Sequence, residues 1–303
     1  MKLCIGTVQF GMNYGIYGRK KPKTEDSLKM LDYATQNGIF AIDTAQAYGE
    51  AEKITGMFLN KKTIPRSQLH IISKLLPNCL DNALPRDYKQ RIRNKIQESL
   101  KVLKTDYLDT FLLHTARYVF QEEILEALYQ MKQEGLCHHV GVSVYEMEEV
   151  NAGIVSSKVD ILQVPYSILD QRMNEAALFE KAQISQTDIH VRSAFLQGLL
   201  VESIDMINPS YSQLISICEK WRRCCREYNV NPVMAAMHYV KQTTTASHLV
   251  FGVHDMQQLT EDIQSFEENI DISSLCDIAS EFVGLPNAIV MPSLWSSMER
   301  GNK

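Results

Sequence analysis

The sequence predicts an α/β protein: a single-domain (β/α)8 TIM barrel with a C-terminal helix and tail. Three observations predict it. Eight short β-rich runs alternate with segments of helical period, and strands alternating with helices imply parallel pairing with right-handed crossovers. Most strands recur at a spacing of about 30 residues, as a βαβ unit requires. No Pro/Gly/Ser-rich linker interrupts the series, so one domain covers residues 1–303, with the barrel over about 1–270 and the helix and tail over about 271–303.

In order, Leu3 to Phe10 reads as the first strand, and a helix follows from Thr24, a plausible N-cap, to a stop at Gly38. Ile39 to Asp43 is the second strand and Glu50 to Leu59 a helix. Leu69 to Leu75 is the third strand, followed by a long amphipathic helix from Pro85 to Leu103. Tyr107 to His114 and Gln121 to Gln133 form the fourth unit, and His139 to Val144 with Glu146 to Ser156 the fifth. Val159 to Pro165 precedes a helix at Asn174 to Ala182, and Ile189 to Phe195 is the seventh strand. Two helical stretches, Ser210 to Tyr228 and Pro232 to Lys241, fill the longer gap before the last strand, His248 to Val253. A helix at Asp255 to Phe266 closes the series. An open doubly wound sheet is the main rival, but Gly11, Gly15 and Gly18 lack the G-x-G-x-x-G spacing of its dinucleotide fingerprint.

The bulk composition narrows the function classes. Hydrophobic content of 45% and charged content of 22% allow a sizeable core. A formal charge of −5 provides no basic field for nucleic acid or anionic lipid. No apolar run reaches the roughly 20 residues that cross a bilayer. The start, Met1-Lys2-Leu3-Cys4-Ile5-Gly6, enters a strand directly rather than a signal peptide. Seven scattered cysteines, an odd number, suit reduced thiols, and together these features give the expectation of a soluble, cytoplasmic protein. Oligomeric state is left open.

In this barrel, functional groups sit at the C-terminal ends of strands and in the loops beyond. Those positions carry Asp43 and then Tyr48 after strand two, Lys74 on strand three, and His114 on strand four. A lysine ammonium about 4 Å from a tyrosine hydroxyl favours the phenolate by roughly 4 kcal/mol at an effective dielectric of 20. At about 1.36 kcal/mol per pKa unit that is about three units, which would bring Tyr48 toward neutrality. Asp43 would keep Lys74 charged, and His114, as neutral imidazole, could donate a hydrogen bond to a carbonyl oxygen. The set suits proton delivery to an oxygen becoming an alkoxide, hence carbonyl reduction by hydride. Singly, each residue has a packing role as its ordinary explanation; four at equivalent strand ends do not.

At these residues the sequence resembles the aldo-keto reductase superfamily, along nearly the whole chain. Gly38-Ile39-Phe40-Ala41-Ile42-Asp43-Thr44-Ala45-Gln46-Ala47-Tyr48-Gly49 is similar to that family's diagnostic signature, and Lys74 and His114 match its lysine and histidine. The resemblance implies an NAD(P)-dependent enzyme using NADP(H) or NAD(H) on a small-molecule carbonyl substrate. Tyr48 would be its acid, tuned by Asp43 and Lys74, and His114 would orient the substrate. By the same carry-over, Ser143 and Gln163 would bind the carboxamide, and Ser193 with Leu196 the pyrophosphate. Gly252, Val253 and His254 through Gln258 to Glu261 and Asp262 would close over the adenosine end. Gly6, Thr7, Gln9, Arg192, Phe195 and Gly198 complete the implied cofactor site.

Three departures stand out. Val144 replaces the family's usual Asn, Arg192 replaces a Tyr that stacks on the nicotinamide, and no Lys or Arg lies between Gly252 and Asp262 to grip a 2′-phosphate. The Val191 to Leu200 run and Pro292-Ser293-Leu294-Trp295 resemble a bacterial subset met in surface-sugar biosynthesis, which implies a sugar-like aldehyde or ketone. A cofactor-binding regulatory or interaction subunit with vestigial turnover is the alternative. A metal-dependent hydrolase is disfavoured because no cluster of metal ligands is visible at the strand ends. Cys137-His138-His139, at the start of a strand, reads as structural, and no metal is expected. The short basic loop Arg19-Lys20-Lys21-Pro22-Lys23 lies on the mouth side, where such runs are mostly solvated.

Overall fold

Eight parallel strands pair in sequence order around a closed barrel. The computed structural model describes residues 1–175 and 177–295. The strands are β1 (Lys2–Gly6), β2 (Ala41–Asp43), β3 (His70–Leu75), β4 (Leu108–Leu113), β5 (Cys137–Ser143), β6 (Ile161–Pro165), β7 (Asp188–Arg192) and β8 (His248–Gly252). Closure is made by β8 on β1, in register from Lys2 opposite His248 to Gly6 opposite Gly252.

Local chemistry sets most helix ends. Pro85 starts the helix Pro85–Leu103, where its missing N–H costs nothing, and Lys104 ends it in the left-handed region at φ +56°. The Asn231 side chain accepts from the backbone N–H of Val233 and Met234 at the start of Pro232–Thr243, and Asp255 accepts from that of Gln258 at the start of Met256–Glu267. Thr24 is the first residue of Thr24–Gln36 rather than its cap, which is Lys23.

Two elements differ from expectation. The first strand stops at Gly6, and Val8–Gly11 forms a helical turn held by Phe10 N–H donating to Thr7 O at 3.0 Å. Phe10 is buried either way, and a short apolar run does not distinguish strand from turn. The helix expected from Asn174 to Ala182 is two pieces, Arg172–Glu175 and Leu178–Ser185, with Ala177 at φ +51°. After Met256–Glu267, the helix Ile272–Ser280 and the short turn Asn287–Val290 pack on the barrel's outside. There Phe282 meets Trp221 edge to face, and the buried indole of Trp295 donates to Ile289 O at 3.0 Å. All seven cysteines are free, and among the described residues no helix is long and apolar enough to cross a membrane.

The period of two along each strand stacks the barrel interior in layers. The middle layer is apolar: Cys4, Ala41, Ile72, Leu112 and Ile161, with Val250 packed against them. Two residues further along their strands come Gly6, Asp43, Lys74, His114, Gln163 and Gly252, at the mouth. Two residues back come His70, Thr110 and His248, at the floor. An apolar plug therefore separates two polar ends.

Candidate active site at the barrel mouth

Tyr48 is placed by two glycines. A Cβ on Gly11 would lie 1.7 Å from Tyr48 O, and one on Gly49, which sits at φ +56°, would lie 2.5 Å from Gly11 O. Only glycine at both positions lets the turn after β1 pack on the turn after β2. Thr7 supports the same junction by donating its hydroxyl to Asp43 O at 3.0 Å.

Lys74 is fully buried. Its ammonium pairs with Asp43 Oδ1, donates to Thr44 O at 3.1 Å, and stands 3.3 Å from Tyr48 Oη. Gln163 fixes the second oxygen of Asp43, donating from Nε2 to Oδ2 at 2.8 Å. Burial works against the Lys74 charge, but Asp43 and Tyr48 outweigh it and raise its pKa above the usual lysine value. His114 meets Tyr48 edge on, ring centres 5.6 Å apart. Burial first, then the charges of Lys74 and Arg192, push His114 down to about 3, so the ring is neutral and carries one N–H.

Tyr48 itself does not titrate as the sequence suggests. Burial of the phenolate outweighs the attraction of Lys74, and its pKa lies above the ordinary tyrosine value. Residue spacing gives the sign of the Lys74 attraction but does not reveal desolvation, which outweighs it. Tyr48 therefore rests protonated, and Lys74 would reduce the cost of a phenolate there.

Beyond these four residues opens a cavity of about 500 Å³, within the range of small-molecule and cofactor sites. Of the residues expected to hold a cofactor, Gly6, Gln9, Ser143, Gln163, Arg192 and Ser193 line it near β1 and β5–β7. Phe195, Gly198, Gly252, His254, Gln258, Glu261 and Asp262 line its far arm. Thr7, Leu196 and Val253 lie behind the wall, their side chains buried.

The loop after β7 holds three non-glycine residues in the left-handed region, Ser193 at φ +68°, Leu196 at +47° and Gln197 at +55°. Such strain concentrates where a ligand is gripped. Gln9 Oε1 and His114 Nδ1 are buried without a hydrogen-bond partner, and both residues line the cavity. A cleft of this volume with unpaired polar atoms along its wall fits a dinucleotide.

Arg192 adopts a role unforeseen in the sequence. Its guanidinium lies 4.2 Å from the ring centre of Tyr145 and donates to Val144 O at 3.1 Å and Ser193 Oγ at 3.2 Å. Val144, which cannot bond a carboxamide through its side chain, anchors Arg192 through its carbonyl. Sequence reasoning missed Tyr145, Tyr14 and Glu202 in the wall. Tyr145 was findable, since it follows the end of β5 directly; Tyr14 and Glu202 enter from loops whose paths local sequence does not dictate. Of the basic loop, Arg19 lines the cavity and is taken by Glu202, while Lys21 pairs with Glu50.

At the far arm, Asp262 is buried, and burial together with Glu261 and Asp255 drives its pKa well above the carboxylate range. At the opposite end of the barrel, away from the strand ends, lies a group that the sequence does not single out. Asp188, His190 and His248 bring ligand atoms within 4.8 Å of one another at strand starts. They carry no joint signal in the sequence because nearly half of their separation along the chain is helix on the barrel's outside, and only the pairing of β7 with β8 joins them. Of the expected structural group, Cys137 is buried and His138 stacks on Tyr107.

A closed barrel with a buried Asp–Lys pair beneath a tyrosine and a neutral histidine, opening on a dinucleotide-sized cleft, defines an oxidoreductase acting on carbonyl groups. The Aldo/keto reductase family matches residues 2–280, and the chain belongs to that family, whose members act on small-molecule carbonyl compounds with NAD(P)H. It is 26% identical over 274 residues to an uncharacterized oxidoreductase of Bacillus subtilis, covering 85% of this chain and 86% of that protein. It is also 26% identical over 265 residues to the NADH-specific methylglyoxal reductase of Escherichia coli, covering 77% and 80%. Among solved structures it is similar to an aldo-keto reductase of Bacillus halodurans in its holo form. That likeness has a TM-score of 0.75 at 20% identity, covers 97% of this chain and 95% of that one, and concerns the fold.

Proposed function

We propose that the protein reduces a small polar aldehyde or ketone, of the sugar-like or 2-oxoaldehyde kind, with NADH in preference to NADPH, and that Tyr48 is the proton donor. The observation that carries the chemistry is the approach of Lys74 Nζ to 3.3 Å from Tyr48 Oη, with Asp43 paired behind it. A nicotinamide, when bound, supplies the hydride. Ser143 and Gln163 would hold its carboxamide, and the strained loop around Ser193 its pyrophosphate. Tyr48 gives its hydroxyl proton to the carbonyl oxygen as negative charge develops there. Lys74 stabilises the phenolate that remains, and Asp43 keeps Lys74 charged and in place. His114, neutral with one N–H, donates to the same oxygen and orients the substrate.

The preference for NADH rests on charge at the far arm. Glu202, Asp255 and Glu261 line it, and Arg19, a cation in that wall, is engaged by Glu202. A 2′-phosphate would meet acids rather than the charge-assisted donors it needs. The Escherichia coli relative carries NADH specificity in its name. The substrate class rests on the mouth, where Tyr14, Tyr145 and Arg192 present hydroxyls and a guanidinium to a small polar molecule.

Fluorescence titration with NADH and NADPH, followed by turnover of methylglyoxal, glyceraldehyde and open-chain sugars, tests all three parts. NADH should bind more tightly, and Tyr48→Phe should lower kcat by about 10²- to 10⁴-fold, the range for general acid catalysis, with NADH affinity unchanged. Turnover surviving in Tyr48→Phe would refute the acid, and tighter NADPH binding would refute the cofactor preference. Cofactor binding with no turnover of any carbonyl would favour the regulatory-subunit reading.

A further inference from the structure

At the floor of the barrel a second polar group stands apart from the mouth, behind the apolar layer of Cys4, Ala41, Ile72, Leu112 and Ile161. Its members are Asp188 and His190 on β7 and His248 on β8, each offering one ligand atom, all within 4.8 Å of one another. His190 is completely buried, and neither of its ring nitrogens makes a hydrogen bond. Its Nε2 stands 3.3 Å from Asp188 Oδ2. A buried imidazole with Nδ1 unpartnered and Nε2 only in long contact with a carboxylate is costly unless something else satisfies it. We propose that Asp188, His190 and His248 form a binding site for one Zn²⁺-type divalent cation, a clip joining β7 to β8 at the barrel floor.

Ligand type and geometry agree with that ion. Two imidazoles and a carboxylate are donors that zinc takes in tetrahedral sites, at bond lengths of about 2.0–2.2 Å. The edge of a tetrahedron with such bonds is about 3.3–3.6 Å, and the Asp188–His190 separation of 3.3 Å falls on it. The surrounding bonds orient the ligands. Ser247 Oγ donates to Asp188 Oδ2 at 2.7 Å and lies 2.8 Å from His248 Nδ1. A hydroxyl has one proton; with it committed to Asp188, His248 Nδ1 must carry the hydrogen it gives to Ser247, which leaves the lone pair on Nε2. This is the arrangement in which a ligating histidine is fixed through its other nitrogen. His70 stacks on His248 at 5.6 Å between ring centres and is itself held by Thr110 at 3.0 Å, closing the floor from the third strand.

The test uses the full-length protein, stripped by chelator dialysis and titrated with Co²⁺ and then Zn²⁺. One equivalent of Co²⁺ should produce the visible absorption of a tetrahedral ion, and Zn²⁺ should abolish it. Saturating Zn²⁺, at about 100-fold over its dissociation constant, should raise Tm by about 5 °C. Asp188→Asn and His248→Gln, both at partly exposed positions, should lose the Co²⁺ spectrum and the Tm shift while retaining NADH binding at the mouth. The proposal is overturned by wild-type protein that takes up no stoichiometric Co²⁺, by uptake undiminished in both variants, or by a thiolate charge-transfer band placing the ion on a cysteine.

Discussion

Lys74 and His70 lie four residues apart on β3 and face the same interior, Lys74 fully buried and His70 half-buried, yet they manage desolvation in opposite ways. At the mouth, Lys74 keeps its charge because Asp43 and Tyr48 together outweigh desolvation. At the floor, desolvation dominates, His70 and His248 stay neutral, and His190 Nδ1 is left without a hydrogen bond. A charge held in place beside a tyrosine can stabilise a phenolate. Neutral imidazoles around one carboxylate can do nothing of the kind, but they are what a soft-edged cation binds. The difference lies in whether the neighbouring opposite charges outweigh desolvation.

The largest effect should come from breaking the mouth pair. Lys74→Met leaves Asp43 buried and unpaired, which should cost about 3–5 kcal/mol in urea-midpoint measurements and abolish turnover. His70→Gln on the same strand should cost less than about 1.5 kcal/mol, the value of one neutral hydrogen bond. Equal losses at the two sites would erase the distinction. Adding Asp43→Leu to Lys74→Met should recover much of the stability and none of the activity.

Next comes the support beneath Tyr48. A methyl at Gly11 must displace the Tyr48 carbonyl, so Gly11→Ala should destabilise by about 1–3 kcal/mol and reduce kcat more than it raises KM. A wild-type kcat in that variant would show that Tyr48 does not depend on the glycine contact.

The pH dependence gives a smaller and signed effect. His114 has a folded pKa of about 3, below the unfolded value of about 6.5. A neutral-in-the-fold histidine contributes stability that is present above the unfolded pKa and lost as pH falls toward the folded one. Its share should be about 2 kcal/mol between pH 7 and pH 5, read as a steeper fall in urea midpoint than in His114→Asn. The acid limb of kcat/KM should likewise show no step near pH 6.5; such a step would mean His114 titrates normally.

The smallest change is expected at the rim. Arg192→Gln removes a charged donor to Val144 O and the stacking on Tyr145, and should raise KM for polar aldehydes about 10-fold, equivalent to about 1.4 kcal/mol. Unchanged KM would confine Arg192 to holding the loop.

The mouth was legible in the sequence to a degree that the floor was not. Asp43, Lys74 and His114 each end an identifiable strand, so counting strands and reading their last residues brings them together before any coordinates exist. Tyr48 follows within five residues of Asp43. Asp188, His190 and His248 sit at strand starts, where polar residues are ordinary and carry no signal one at a time. Tyr145 was one residue beyond a position already considered, whereas Glu202 and Arg19 meet only because loops after β7 and β1 fold toward each other.

What the amino-acid order determined alone was the repeating unit: strand, helix, strand, with interior residues at every second position and turn residues between. That is local chemistry, set by periodicity, proline, glycine and caps. Tertiary structure decided where the first strand yields to a turn, which neighbours cross the barrel, and how much each buried charge is desolvated. Tyr48 shows why. The attraction of Lys74 depends on a distance that strand order implies, but the opposing penalty depends on all the atoms that exclude water, and those are assembled only when β8 closes on β1.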